Sequence, residues 1–470
     1  MKDFTQGSIF KGLISLSIPI VLTNLLHSAY QLTDTFWVGR LGAEAVAAVS
    51  LSFPMVFLMI TLGGGFSVAG TILVAQYRGK GDLKQVDHVV GQTVVMMFLI
   101  SILASIIGYA SAEPMMKLLG AAPEVLPDAV AYLKISFIGM VFLFSFFVFQ
   151  SLMRGVGEVR TPMYVVGTTV LMNLVLDPLL IFGWGPIPAY GVTGAAIATI
   201  FTQAVATVAG FYILMKGKRG IKLTLKNFRF DGPLLKKMFL LGLPSSIEQS
   251  MKAIGLTIMS FLVATLGTLV VAAYGIGIRI FSFVVIPAFG LSMATATLVG
   301  QNMGAGKPDR AEEIGNKSAL VAFFLLLFVG IIFFIFAHQI VTLFIPNDPA
   351  VIENATVFVK YLSAGFCFIG LQLTLNGIFT GSGNTKVSMI FSIISLWVFE
   401  FPIAYILSKV LGFNELGIWM GAPIAWVLAT IIPFIYFKTG RWKKTRIIDT
   451  PQDAKLADAV REEAMIEEGR

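Results

Sequence analysis

Twelve stretches of the chain run long and apolar between short polar or Gly/Pro-rich breaks. They cover roughly residues 11–38, 43–77, 85–112, 123–150, 160–183, 189–216, 233–265, 269–301, 312–337, 349–377, 384–410 and 416–440. Each is long enough for the about 20 apolar residues that a membrane-crossing helix needs. None alternates apolar with polar as a barrel strand would. The pattern predicts an all-α membrane protein of twelve transmembrane helices. The first stretch is too long for a cleaved signal peptide, and polar residues interrupt it where such a peptide is apolar.

Composition strengthens that reading. The 470 residues are 56% hydrophobic and 13% charged, against about 45–50% and 25% in soluble domains. A secreted enzyme, a disordered scaffold and a nucleic-acid binder are thereby excluded. The single cysteine, Cys367, cannot form an internal disulfide, and His27, His88 and His338 are too scattered to suggest a metal cluster.

Charge orients the bundle. With the N-terminus inside, 24 of the 34 basic residues fall on cytosolic segments, while Arg40, Lys117 and Lys409 mark the outer ends. Retention of Lys and Arg on the cytosolic side is the positive-inside rule, so both termini are expected in the cytosol of a cell-membrane protein. The net charge of +8 is then a topology signal, with no need of nucleic acid. Residues 447–470 read as a polar, solvated tail.

The chain also repeats itself. Adding 225 to a number in the first half lands, without a gap from Pro19 to Gly81, on a similar residue in the second. Pro19 meets Pro244, Gly42 meets Gly267, Gly65 meets Gly290, Gln76 meets Gln301 and Gly79 meets Gly304. An offset of 226 continues the match at Gly155, Gly157 and Met163. The expected organisation is an N-terminal six-helix half (1–215), a basic cytosolic connector (216–237), a C-terminal six-helix half (238–440) and a tail (441–470). Two pseudo-symmetric bundles around a central cavity form a transporter architecture, in which the halves rock about a midplane site. Neither a symmetric pore lining nor a catalytic cluster is apparent, so the chain is not expected to be a channel or an enzyme.

Charges inside spans need a reason, because a carboxylate at a helix centre costs about 2.5–3.5 kcal/mol on insertion scales. Asn24, His27, Gln31 and Asp34 in the first span fall within an arc of about 80° at 100° per residue, one polar stripe. Thr169, Asn173 and Asp177 form a second stripe in the fifth span. Asp34 lies about 6 Å below its outer end and Asp177 about 9 Å, so the two acids could face one cavity. Their repeat mates, Met259 and Ile403, are uncharged. Two neighbouring buried carboxyls resist joint ionisation, so such a pair can hold a proton and release it when water enters. In the second half, Glu248 and Lys252 have the spacing of a helical ion pair, and Arg279 and Glu400 could pair between the eighth and eleventh spans. Phe residues, with Met172, Met259 and Met293, suit an adaptable apolar cavity.

Several segments resemble one family. IRIFSFVVIPAFGLSMATATLVGQNMGAGK (Ile278 to Lys307) is similar to the eighth helix of MATE (multidrug and toxic compound extrusion) proteins, and FSVAGTILVAQYRGKG (Phe66 to Gly81) to the second. SIPIVLTNLLHSAYQLTDTFWVGRLG (Ser17 to Gly42) resembles the first, and MRGVGEVRTPM the fourth-to-fifth turn. The likeness runs from about residue 8 to 440, nearest the archaeal and DinF-like branch. It implies a monomer in the lipid bilayer that exports small organic, often cationic compounds in exchange for inward H⁺ or Na⁺, with no other cofactor. It further implies a cation site of Asp34, Asp177, Asn173 and Thr199, with Tyr132 nearby and a helix bend at Pro19. These oxygens suit Na⁺ as well as a proton, but His27 on the acid stripe favours H⁺. Lys134 would pin the acids ionised if it reached them, and is expected to point elsewhere. The sodium-driven branch uses acids in the seventh and tenth spans, and Glu248 does not sit convincingly at its position. A lipid-linked oligosaccharide flippase of the same superfamily would favour a cavity rich in Arg and Lys, whereas the stripes here are acidic and neutral. A non-transporting membrane protein leaves the duplication unexplained.

Overall fold

The computed structural model describes residues 3–448, so the expected tail lies largely outside the described residues. Among the described residues, twelve helical segments are long and apolar enough to cross a membrane. The first half supplies α1 (Ile9–Val38), α2 (Ala43–Lys80), α3 (Leu83–Leu118), α4 (Leu126–Gly155), α5 (Arg160–Phe182) and α6 (Val192–Lys216). The second supplies α7 (Gly232–Ala264), α8 (Thr268–Gly304), α9 (Pro308–Ile335), a short α10 (Ala337–Phe344) and α11 (Pro349–Gly381). An interrupted eleventh span follows, built on α12 (Thr385–Ile393) and α13 (Phe401–Tyr405), and then α14 (Asn414–Lys438). Apolar side chains such as Phe324, Phe328 and Ile335 on α9 are exposed, as lipid-facing residues of a spanning helix are. The only strand-like feature among the described residues is one bridge, Trp184 to Ile187.

The repeat is visible in its turns. Gly42 and Gly267 hold φ of +114° and +106° between the first and second helices of each half, a region in which a side chain is strained. The matched turns need the matched glycines.

By contacts the chain forms two compact units, drawn at other residues than the sequence halves. One comprises Leu22–Val74 and Leu83–Ser250; the other comprises Ala75–Asp82, the described residues from Met251 on, and the N-terminal stretch that ends at Val21. The reason is an exchange of helix segments, α1 up to Val21 and α7 up to Ser250. In the first unit Gly65 of α2 lies so close to Ser246 of α7 that a Cβ would collide with the Ser246 backbone. In the second, the repeat mate Gly290 of α8 meets Val21 of α1 in the same way. The opening helix of each half therefore packs on the second helix of the other. Within the second unit Gly79 abuts the Gln301 carbonyl and its mate Gly304 abuts the Gln76 carbonyl. Such backbone approaches are how helices associate in lipid, where hydrophobic burial offers little.

The eleventh span contains two π-helical segments, Ile394–Glu400 and Ile406–Val410, flanking α13. Pro402, within α13, has no N–H to give and its ring crowds the preceding turn, which opens the helix there. The connector is more than a basic linker. Gln92 of α3 donates to the carbonyls of Asn227 and Arg229 (2.9 and 2.7 Å) and accepts from Asp231 N, while His88 meets Asp231 at 2.8 Å. It is strapped along α3.

Candidate functional site

The buried seam of α5 carries the site. Thr169, Asn173 and Asp177 recur every fourth residue and all three are buried. Asn173 Nδ2 donates to Asp177 Oδ1 over 2.8 Å. Helix α6 packs close because Gly194 sits against the Leu180 carbonyl, and this places Thr199 beside α1. Thr199 Oγ1 donates to Asp34 Oδ2 over 3.3 Å. The carboxyls of Asp34 and Asp177 adjoin, with Asn173 also reaching Asp34. The predicted quartet is thus one cluster inside the first unit.

Three acceptor atoms of this cluster are buried without a hydrogen-bond partner: Asp34 Oδ1, Asp177 Oδ2 and Asn173 Oδ1. Buried polar atoms are normally paired, so three in one place demand a donor or a cation. No basic side chain supplies it: neither acid forms an ion pair among the described residues. Arg40 stacks outward over Phe36 and Trp37 at 4.5 and 4.9 Å. Lys134 lies over the Tyr109 ring at 5.2 Å, away from the acids as expected.

The other predicted residues divide. Tyr132 lies within electrostatic reach of both acids. His27 instead adjoins Gln150 of α4, and no side-chain hydrogen bond ties Asn24 or Gln31 to the acids among the described residues. Pro19 sits inside a helix that stays continuous, two residues before the end of the stretch that joins the second unit. Glu248 and Lys252 lie in α7 on either side of the division between the units. Arg279 is exposed and no ion pair joins it to Glu400 among the described residues; Glu400 Oε2 accepts instead from Trp426 Nε1 at 3.3 Å.

Sequence reasoning missed Tyr30 and Thr202, whose hydroxyls meet at 2.7 Å, while Thr202 also donates to the Thr199 carbonyl at 2.9 Å. The signal was available, since Tyr30 lies one turn before Asp34 and Thr202 one turn after Thr199. Chemically, the cluster can hold one proton between two carboxyls, or one small cation among their oxygens.

The family described as MatE matches residues 19–179 and 244–406, one block in each half. The chain is 28% identical to the probable multidrug resistance protein YpnP of Bacillus subtilis over 95% of this chain and 98% of that one. It is also 28% identical to the probable multidrug resistance protein NorM of Thermotoga maritima, over 93% and 94%. A solved structure described as the outward-facing conformation of a multidrug resistance MATE family transporter of the MOP superfamily superposes with a TM-score of 0.88. It is 25% identical and covers 94% of this chain and 98% of that one.

Proposed function

The chain belongs to the MATE family, and we propose that it exports lipophilic, often cationic organic compounds across the cell membrane in exchange for protons entering through Asp34 and Asp177. One observation carries the reading: two adjoining carboxyls, each with a buried unpartnered oxygen, and no basic side chain paired with either. Two ionised carboxylates in contact repel. One shared proton would remove the repulsion and satisfy Asp34 Oδ1 and Asp177 Oδ2 together. Water or substrate entering the cleft would make that proton dispensable, and this is the exchange step of an antiporter. The positive-inside balance supports a cytosolic placement of both termini. The multidrug relatives in Bacillus subtilis and Thermotoga maritima support the substrate class.

Na⁺ is the second reading, favoured by Asn173 Oδ1, the third unpartnered oxygen, which a shared proton leaves unsatisfied. Pro19 contributes on either reading, because its missing N–H weakens the turn before it and allows α1 to bend as the occupant changes. Cells expressing the protein should retain less ethidium than controls, an uncoupler should abolish the difference, and Asp34→Asn at equal expression should behave as the empty control. Full export by Asp34→Asn would sink the coupling role.

A further inference from the structure

The second unit holds a cavity of about 50 Å³ between α7, α8, α11, the eleventh span and α14. Tyr274, Phe281, Phe358, Leu396, Glu400 and Trp426 are among its walls. We propose that this cavity is a second binding site, one that takes the methylated ammonium head of an organic cation against aromatic faces, with Glu400 as the counter-charge. The inference rests on the reading of the chain as an exporter of organic cations, and it places a recognition element outside the Asp34–Asp177 cluster.

Four observations carry it. Glu400 is a carboxylate within a spanning segment, where an unpaired charge is costly, yet its one hydrogen bond among the described residues comes from Trp426 Nε1 at 3.3 Å. Arg279, the basic residue that charge alone offers as its partner, is exposed and forms no ion pair with it among the described residues. The missing positive charge must come from elsewhere.

The walls choose which cation. Phe281 and Trp426 stack with centroids 5.2 Å apart, and Tyr274 and Phe358 with centroids 5.6 Å apart, so two slabs of aromatic surface border the carboxylate. Ring faces attract a desolvated cation, and quaternary ammonium groups are recognised in this way. A hard metal ion would want about six oxygens, whereas Glu400 and Tyr274 hold the only side-chain oxygens in the lining.

Size and backbone agree. About 50 Å³ is several times the roughly 10–15 Å³ that one water requires, which fits a head group and leaves the rest of a larger molecule outside. Glu400 closes the π segment Ile394–Glu400, and π turns inside helices occur frequently at functional sites. From the end of that segment Glu400 reaches Trp426 of α14.

The test is equilibrium binding of radiolabelled tetramethylammonium to the purified full-length protein in lipid nanodiscs, without any ion gradient. Failure of coupling at the acid pair would leave this readout unmoved, so the two ideas fail separately. Saturable binding is expected, weakened about tenfold or more by Glu400→Gln and several-fold by Phe281→Leu, by the loss of a charged partner and of a cation–π face. Tyr274→Phe, which keeps the ring, should bind as wild type, and Tyr274→Leu should not. The neutral isostere neopentane should fail to displace the label. Absence of saturable binding by the wild type would overturn the proposal. So would Glu400→Gln binding as wild type, or binding lost in Asp34→Asn while Glu400→Gln retains it.

Discussion

Asn173 Nδ2 donates to Asp177 Oδ1 from one turn earlier on α5, at 2.8 Å, and this bond decides which oxygen of Asp177 is left for exchange. With Oδ1 engaged, Oδ2 is the unpartnered atom on the carboxyl that adjoins Asp34. Asn173→Leu removes the donor and leaves a buried carboxyl without its neutral partner. Because hydrogen bonds to charged groups contribute about 1.5–3 kcal/mol, dye transport at equal expression should fall about tenfold or more, whereas Asn173→Gln should recover part of it. Initial efflux rates normalised to protein level would decide the matter; wild-type rates in Asn173→Leu would remove Asn173 from the site.

Tyr30 buttresses the cluster through Thr202. Removing a single neutral hydroxyl costs about 0.5–1.5 kcal/mol. Tyr30→Phe should therefore slow transport by a few-fold without abolishing it, and Thr202→Val should do the same. Thr202→Val also gives up the bond to the Thr199 carbonyl, and the double variant should be no worse than the worse single one, since both remove the Tyr30–Thr202 bond. Additive losses in a double-mutant cycle would show that the two hydroxyls act separately.

Gly79 and Gly304 are repeat mates in matched close approaches. Gly79→Ala and Gly304→Ala should each destabilise the protein by about 1–3 kcal/mol, the cost of overpacking a tight contact, and by similar amounts. Gly64→Ala, where a Cβ meets nothing within 4 Å, should be neutral or slightly stabilising. Thermal unfolding of detergent-solubilised protein, followed by light scattering, would compare the three. A harmless Gly79→Ala would mean that α2 and α8 do not approach so closely.

The duplication made those contacts partly legible: an offset of 225 paired the right glycines, but nothing in it said that the pairs touch. Spans, turns and both polar stripes could be read because they depend on local periodicity. The acid cluster could be read because α1 and α5 each carry a single acid within the span. What escaped depends on packing across long sequence distances. The exchange of the opening segments of α1 and α7 between units leaves no periodic mark, and the connector's polar residues look like any solvated loop until Gln92 is seen holding two of its carbonyls. Pro402 was visible, but the π segments around it depend on how α14 receives the eleventh span. Arg279 and Glu400 were joined on charge alone, and the structure gives Glu400 to Trp426 instead.

The connector supplies a pH dependence. The His88 ring beside Asp231, together with the backbone N–H of Leu234, holds the Asp231 carboxyl below the usual carboxylate range. A depressed folded-state value stabilises the strap above the unfolded value of about 3.9, and that stabilisation is lost as pH falls through the folded value. Asp231→Asn should therefore lower the melting temperature at pH 7. The pair is about one-third exposed, so its contribution is limited to roughly 0–1 kcal/mol by solvent screening. The gap between variant and wild type should close as pH falls from about 5 towards 3. A gap that is independent of pH would mean that Asp231 acts only through its shape.

The claim that the Asp34–Asp177 pair exchanges protons is tested most directly by dye flux in sodium-free proteoliposomes under an imposed pH gradient. The account predicts flux in the wild type, its loss in Asp34→Asn and in Asp177→Asn, and no response when a sodium gradient is added alone. Flux that appears only with the sodium gradient would contradict it, and would make Asp34, Asn173, Asp177 and Thr199 the ligands of a sodium ion.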